Sequence, residues 1–146
     1  MQVSSSGLAT VMKVKHFLVK KAQRELAAIT VTKQKEQGEL SHLEETKDSA
    51  MTDAVRIMRT RAGDLQTSRA FIQSLSRQIH LQEERIQEIR QQEDTKRDEL
   101  VEKTKSEEMV EKLDQKRKDE VEKESDRKAQ SLIDVLAQRL KPGFER

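Results

Sequence analysis

The sequence contains no cysteine, tryptophan or tyrosine, and its only phenylalanines are Phe17, Phe71 and Phe144. The lack of cysteine excludes disulfides, thiol redox chemistry and thiolate metal sites. Aromatic residues make up 2% of the chain and apolar residues 33%, so the bulky side chains that fill a globular core of this length are missing. The composition is typical of either long helices or a disordered chain.

Long apolar runs and a strong overall charge are also missing. No stretch reaches the roughly 18 apolar residues of a membrane span, and the first residues lack the pattern of a secretory signal. The formal net charge is +2, which predicts no strong overall attraction to nucleic acid or to membranes. Together these features predict a soluble, cytoplasmic protein.

Recognised catalytic motifs do not occur. There is no glycine-rich phosphate loop, no nucleophile elbow and no zinc-protease helix. His16, His42 and His80 are far apart in the sequence, and the two that a hairpin can bring together lack a third ligand, so they make a poor metal site. We interpret all three as facing solvent, and we expect no enzymatic activity, no metal and no cofactor.

Charge is uneven at the start of the chain, where residues 1–24 include five basic residues and no acidic residue. This run is compatible with a solvated helix face, a protein partner, or a nucleic-acid or membrane surface. Because the heptads begin inside the run and only five charges are involved, nucleic acid is not the expected partner. The basic residues are Lys13, Lys15, Lys20, Lys21 and Arg24.

Apolar residues recur at alternating steps of three and four from Leu8 to Ile57. A mean spacing of 3.5 residues places them along one seam of a supercoiled helix, which disorder would not preserve. The fifteen positions are Leu8, Met12, Lys15, Val19, Ala22, Leu26, Ile29, Lys33, Glu36, Leu40, Leu43, Lys47, Ala50, Ala54 and Ile57, and eleven of them are apolar.

A second seam follows a break at residues 59–68, where Gly63 can end one helix in the left-handed conformation and Asp64 is one candidate to cap the next. This seam comprises Ile72, Leu75, Ile79, Gln82, Ile86 and Ile89. It weakens through Glu93 and Lys96, returns at Leu100 and lapses again at Lys103 and Glu107. A short turn between two seams joins antiparallel neighbours. The predicted fold is all-α, a long antiparallel coiled-coil hairpin. It comprises a flexible start (1–7), a helix (8–60), a turn (61–66), a second helix (67–140) and a flexible end (141–146).

The predicted hairpin is asymmetric, because the first helix runs out opposite about residue 116. The remainder of the second helix forms a C-terminal overhang without a partner in the chain. It ends in the apolar segment SLIDVLAQRL, residues 131–140. A free amphipathic end of this kind is typical of an interaction surface.

Charged residues interrupt both seams. Buried charges are tolerated when they are paired, so we expect Lys33 and Glu36 to face Glu93 and Lys96 across the hairpin. Phe71 lies beside the second seam. It can either pack over Leu75 one turn further on or face a partner.

Three segments of the second helix resemble FliJ, the coiled-coil protein of the flagellar type III export apparatus, and more distantly its injectisome counterparts of the YscO type. AFIQSLSRQI (70–79) is similar to the segment that follows the family's turn, and EEMVEKLDQKRKDEVEKE (107–124) is similar to its charged stretch. DRKAQSLIDVLAQR (126–139) resembles the C-terminal signature at Arg127, Gln130, Asp134 and Ala137, but Ala129, Ser131 and Val135 depart from it.

The resemblance implies a stalk that inserts its terminal end into the hexameric export ATPase, binds the cytoplasmic region of an FlhA-like export gate, and associates with export chaperones. The protein would then be cytoplasmic and peripheral to the inner membrane through the apparatus. Carried over to this chain, the gate contact falls on Phe71 and Leu75. The ring contact falls on Arg127, Gln130, Leu132, Ile133, Leu136 and Leu140.

Two other interpretations remain open. A generic coiled-coil scaffold without an ATPase partner would self-associate through the overhang, whereas a stalk would be monomeric when alone. A nucleic-acid-binding rod would show a steep salt dependence of binding.

Overall fold

The computed structural model of the protein describes residues 5–58 and 62–140, and these residues form two α-helices. Helix α1 spans Ser5–Met58 and helix α2 spans Ala62–Leu140. Neither helix contains proline, and both are rich in glutamate and lysine. The hydrogen-bonded backbone therefore continues without interruption over each helix. The predicted all-α class and helical hairpin are confirmed.

The helix ends differ from the predicted ones around the turn. Helix α2 begins at Ala62, so residues 62–66 are helical where the sequence predicted a turn, and α1 already includes residues 5–7. No glycine in the two described ranges has a positive φ, so Gly63 is not the left-handed cap. A glycine inside a helix is only about 1 kcal/mol less favourable than alanine. The negative charge of Asp64, in the first turn of α2, interacts favourably with the positive end of the helix dipole.

Parts of four predicted segments lie outside the described residues. Residues 1–4 belong to the predicted flexible start, and residues 141–146 are the predicted flexible end. Residues 59–61 include the end of the first predicted helix and the first residue of the predicted turn.

Packing divides the described residues into two compact units, where the sequence predicted one coiled-coil segment. The central unit is Val19–Glu102, and the terminal unit combines residues 5–18 with residues 103–140. The division falls where the predicted seam of α2 weakens, since Lys103 is exposed. A lysine at a seam position cannot be buried without a partner, and this weakens packing between neighbouring turns.

The helix segments of the central unit run antiparallel. Lys33 contacts Glu93, while Lys96, further along α2, contacts Glu25, which comes earlier in α1. All fifteen predicted seam positions of α1 are buried or half-buried, and so are the nine seam positions of α2 from Ile72 to Leu100. The seams predicted from periodicity are therefore confirmed.

The core of the central unit consists of a few aliphatic side chains along the seam: Val19, Ala22, Leu75, Ile86 and Ile89.

The terminal unit has little core, and most of its α2 segment is exposed. His16 of α1 contacts Glu107 of α2 at 3.6 Å, and Leu8 is buried beside a groove that Asp114 and Arg117 also line. Arg117 is the last half-buried residue of α2. Every residue from 118 to 140 is exposed, so the predicted overhang is confirmed close to the expected position.

Candidate interaction surfaces

Polar side chains join the two helices of the central unit at Glu93. Lys33 Nζ donates a hydrogen bond to Glu93 Oε1 at 2.8 Å, and Thr30 Oγ1 donates to Glu93 Oε2 at 3.2 Å. Arg97 Nη2 also donates to Oε1, at 3.1 Å. The hydrogen bond from Lys33 lowers the pKa of Glu93 below the ordinary glutamate value. The predicted pairing of Lys33 with Glu93 is confirmed.

The other half of that prediction is wrong, because Glu36 and Lys96 do not pair. Gln82 Nε2 donates to the Glu36 side chain at 2.6 Å and to its backbone carbonyl at 2.9 Å. The bond from Gln82 lowers the pKa of Glu36. Lys96 instead donates to Glu25 at 3.2 Å, which raises the pKa of Lys96. In an antiparallel pair, moving forward along α2 means moving backward along α1, so Lys96 lies nearer Glu25 than Glu36.

The residues expected to contact the export gate differ in accessibility. Phe71 lies on the flank of the seam and is 51% exposed, whereas Leu75 lies in the seam and is 4% exposed. The half-exposed ring of Phe71 offers a large apolar surface to solvent. Leu75 instead holds this turn of α2 against α1, so only Phe71 of the pair has an accessible side chain.

The residues expected to contact the ATPase ring are all exposed on the last turns of α2. Leu132, Ile133, Leu136 and Leu140 form an apolar stripe. At about 100° per residue, these four side chains fall within an arc of about 100° on one side of the helix. A stripe of this width matches the apolar face that a helix normally buries.

Arg127 lies on the side of the helix opposite the apolar stripe, and Gln130 lies about 60° beyond the edge of the stripe. Each belongs to a local pair, because Arg127 approaches Glu124 at 3.7 Å and Gln130 donates to Asp134 at 3.1 Å. The six expected ring residues therefore occupy two faces of one helix. The sequence resemblance did not separate the two faces, although the spacing of the residues along the helix is enough to do so.

The histidines do not form a common site. His16 contacts Glu107, and His80 contacts Glu84 on its own helix at 3.1 Å. Among residues 5–58 and 62–140, no group of three or more His, Cys, Asp or Glu side chains is arranged to hold a metal ion. Within the same ranges, neither helix has an apolar stretch long enough to cross a bilayer.

Comparison with protein families identifies the chain. The family described as "Flagellar FliJ protein" matches residues 4–141. The chain belongs to the FliJ family. The match covers both helices, including the N-terminal half, where the sequence resemblance was only general. No curated protein and no solved structure matches the chain significantly.

Membership of the FliJ family implies a non-catalytic component of the flagellar export apparatus. It also favours the flagellar system over the injectisome, which the sequence motifs left open. The predicted resemblance to FliJ is thereby confirmed.

Proposed function

We propose that this chain is a stalk that inserts the overhanging end of α2 into the hexameric export ATPase. In this function it promotes assembly and activity of the ring and links the ring to an FlhA-like export gate and to export chaperones. Its place is cytoplasmic, peripheral to the inner membrane at the base of the apparatus. The function is one of binding and coupling, with the catalytic step carried out by the ATPase.

The observation that carries the proposal is the full exposure of residues 118–140. In proteins, most of the stability of a helix comes from packing of its amphipathic face. Here the exposed segment continues from a packed helix and bears an apolar stripe that nothing in the described chain covers. In a member of the FliJ family, that stripe is best explained as the surface that a partner buries.

The two-faced arrangement of the overhang fits a ring better than a flat partner surface. A helix inside a ring channel is contacted on all sides, so the apolar stripe and the polar side with Arg127 and Gln130 can both bind. The six subunits would meet different faces of one asymmetric helix. Contacts that differ between subunit conformations couple the position of the helix to the nucleotide state.

The first experiment measures turnover of the cognate export ATPase while this protein is added at substoichiometric ratios. The proposal expects stimulation that saturates near one copy per hexamer. The double variant Leu132→Asp, Leu136→Asp should lose the stimulation. Val31→Asp is a matched control, because Val31 is an exposed apolar residue of the central unit, and it should stimulate as the wild type does.

The opposite results would favour the scaffold interpretation. If a ring-competent ATPase does not respond, and the protein alone sediments as an oligomer that the double variant converts to a monomer, then the overhang serves self-association.

The gate contact is tested separately at Phe71. Phe71→Ala should weaken binding to the cytoplasmic region of the gate by about 30-fold, the cost of a typical interface hot spot. Leu81→Ala is the matched control, since Leu81 is also an exposed apolar residue of α2 beside the seam. Equal affinity for wild type and Phe71→Ala would remove Phe71 from the gate surface.

A further inference from the structure

An exposed apolar stripe on the last turns of α1 belongs to neither the proposed ring surface nor the proposed gate surface. It consists of Met51, Val55 and Met58, which are 44%, 58% and 67% exposed. At about 100° per residue, their spacing of four and three places the three side chains within an arc of about 60°. We refer to these three residues as the α1 stripe.

The α1 stripe and Phe71 lie on opposite flanks of the central unit. In two right-handed helices that run antiparallel, residues just before a seam position share one flank, and residues just after a seam position share the other. Lys96 contacts both Glu25 and Glu99, which each precede a seam residue, so these residues of different helices share a flank. Phe71 also precedes a seam residue and lies on that flank. Each residue of the α1 stripe instead follows a seam residue, so the stripe lies on the other flank.

Helix α2 does not cover the α1 stripe. The contacts of Lys33 with Glu93 and of Lys96 with Glu25 set a register in which the stripe lies opposite the first turns of α2. On the flank of the stripe, those turns present side chains that are all polar: Arg69, Gln73 and Ser76. A third helix laid along this flank would contact the stripe on one side and these polar residues on the other.

The line of the α1 stripe continues into two carboxylates on the side away from the end of α1. Glu44 and Asp48 lie at the preceding steps of three and four, follow seam residues and are exposed. In the described part of the chain, no ion pair involves either carboxylate. Lys47, at the seam, is half-buried, and Arg77 of α2 points away from α1. One line on α1 is therefore negative over its first half and apolar over its second half.

We propose that the α1 stripe binds an amphipathic helix of a partner protein, which has apolar residues over about two turns and basic residues beside Glu44 and Asp48. Helices bind in grooves through apolar anchors spaced three and four residues apart, and methionine adapts to the shape of such a partner. Arg69 disfavours basic residues along the apolar part, so the basic residues of the partner are confined to one end. Charges arranged in this way select the partner and fix its orientation.

The two carboxylates also decide between classes of partner. Glu44 and Asp48 repel both an anionic bilayer and a nucleic acid, whereas they attract a helix with basic residues at one end. The inference concerns the chain by itself and does not depend on the ring or the gate. Because Phe71 lies on the other flank, a helix bound to the α1 stripe leaves Phe71 accessible.

The experiment measures binding of the full chain to two synthetic helical peptides of about 20 residues by fluorescence anisotropy. Both peptides carry three leucines spaced as in the α1 stripe. On the same face beyond the leucines, one peptide carries two lysines and the other carries two glutamates. The lysine peptide should bind at least about ten-fold more tightly, because its charges are opposite to those of Glu44 and Asp48. The double variant Glu44→Lys, Asp48→Lys should reverse this preference.

A second set of variants tests the apolar contact. Met58→Asp should weaken binding of the lysine peptide by about 30-fold, the loss of a typical interface hot spot. Val31→Asp is the matched control, because Val31 is a similarly exposed apolar residue of α1 off the stripe, and it should bind as the wild type does. The double variant Leu132→Asp, Leu136→Asp changes the overhang and should also bind as the wild type does.

Circular dichroism confirms that each variant stays helical, and sedimentation gives the oligomeric state of the free chain. Equal affinity of the wild type and Met58→Asp, equal affinity for the two peptides, or absence of binding would overturn the proposal. An oligomer of the free chain that Met58→Asp converts to a monomer would also overturn it, because the stripe would then bind a second copy.

Discussion

Two stretches of the same helix have opposite environments. Residues 72–100 of α2 carry a seam that is buried or half-buried throughout, while residues 118–140 are exposed at every position. Both stretches are helical, highly charged and provided with a stripe of aliphatic residues. Both stretches therefore have an apolar side, and what differs is whether α1 supplies a facing seam. The comparison shows that an apolar stripe indicates a partner without indicating whether that partner is in the same chain.

The polar side chains of the two stretches also have different partners. In the central unit, the buried carboxylates of Glu36 and Glu93 are hydrogen-bonded across the pair. Such buried polar pairs restrict a coiled coil to one register, because any shift leaves a charge without its partner. In residues 118–140 the polar pairs are local and exposed, such as Arg127 with Glu124. Those pairs impose no register, and this segment is free to adapt to its partner.

The largest expected difference between the two stretches concerns stability. Ile86 is buried in the seam, so Ile86→Ala should lower the free energy of unfolding by about 2–4 kcal/mol. Leu136→Ala removes an aliphatic group from the exposed stripe and should change it by less than about 0.5 kcal/mol. Urea unfolding followed by circular dichroism measures both. Similar losses for the two variants would mean that the overhang is buried in the free chain.

Charge reversal tests the pairing that holds the central unit in register. Lys33→Glu and Glu93→Lys should each lower the Tm, because each places like charges together at the seam. The double variant should melt above both single variants, since the pair is restored with opposite polarity. The same exchange at Glu124 and Arg127 is the control. It should hardly move the Tm, because exposed pairs contribute about 0–1 kcal/mol.

Acid should destabilise the protein through the central unit. The pKa values of Glu93 and Glu36 are lowered by their hydrogen bonds to Lys33 and Gln82. A carboxylate with a lowered pKa in the folded state contributes stability above its unfolded pKa. That contribution is lost as the pH falls below the ordinary value of 4.5 toward the lowered one. Thermal unfolding of wild type and Glu93→Gln from neutral pH downward measures this loss.

The comparison of the wild type with Glu93→Gln contains its own control. Glu93→Gln should be less stable than the wild type at neutral pH, and the difference should shrink as Glu93 of the wild type becomes protonated. A difference that stays constant down to the lowest pH would mean that ionisation of Glu93 contributes nothing.

A small gain in stability is expected at Gly38, in the middle of α1. A Cβ added at Gly38 would meet no atom within 4 Å. Gly38→Ala should therefore raise the free energy of unfolding by about 0.5–1 kcal/mol, because alanine restricts the unfolded chain and favours the helix. Urea unfolding measures whether Gly38→Ala raises or lowers the free energy of unfolding. A lower value would indicate close packing at this position in solution.

Much of the fold followed from periodicity. The seam from Leu8 to Ile57 was predictable because a 3.5-residue spacing leaves one face to bury. The end of α2 at Leu140 followed from Pro142, which disfavours helix in the residue before it. The start of α2 was placed too late. Glycine marks either a helix end or a tolerated helical position, and composition alone does not separate the two.

The candidate surfaces were less predictable. The family resemblance selected Phe71 and Leu75 together, but only their positions relative to the seam distinguish an exposed ring from a buried leucine. The pairing of Glu36 with Gln82 and of Lys96 with Glu25 depends on the register between helices, which one helix's spacing does not encode.

Amide hydrogen exchange along α2, in the free chain and in the presence of the ATPase hexamer, most directly tests the assignment of residues 118–140 to a partner. An unpartnered helical segment opens easily, so these residues should exchange fast in the free chain while residues 72–100 exchange slowly. On addition of the hexamer, protection should rise in residues 118–140 and stay unchanged in residues 72–100. Slow exchange of residues 118–140 in the free chain, or no gain in their protection with the hexamer, would contradict that assignment.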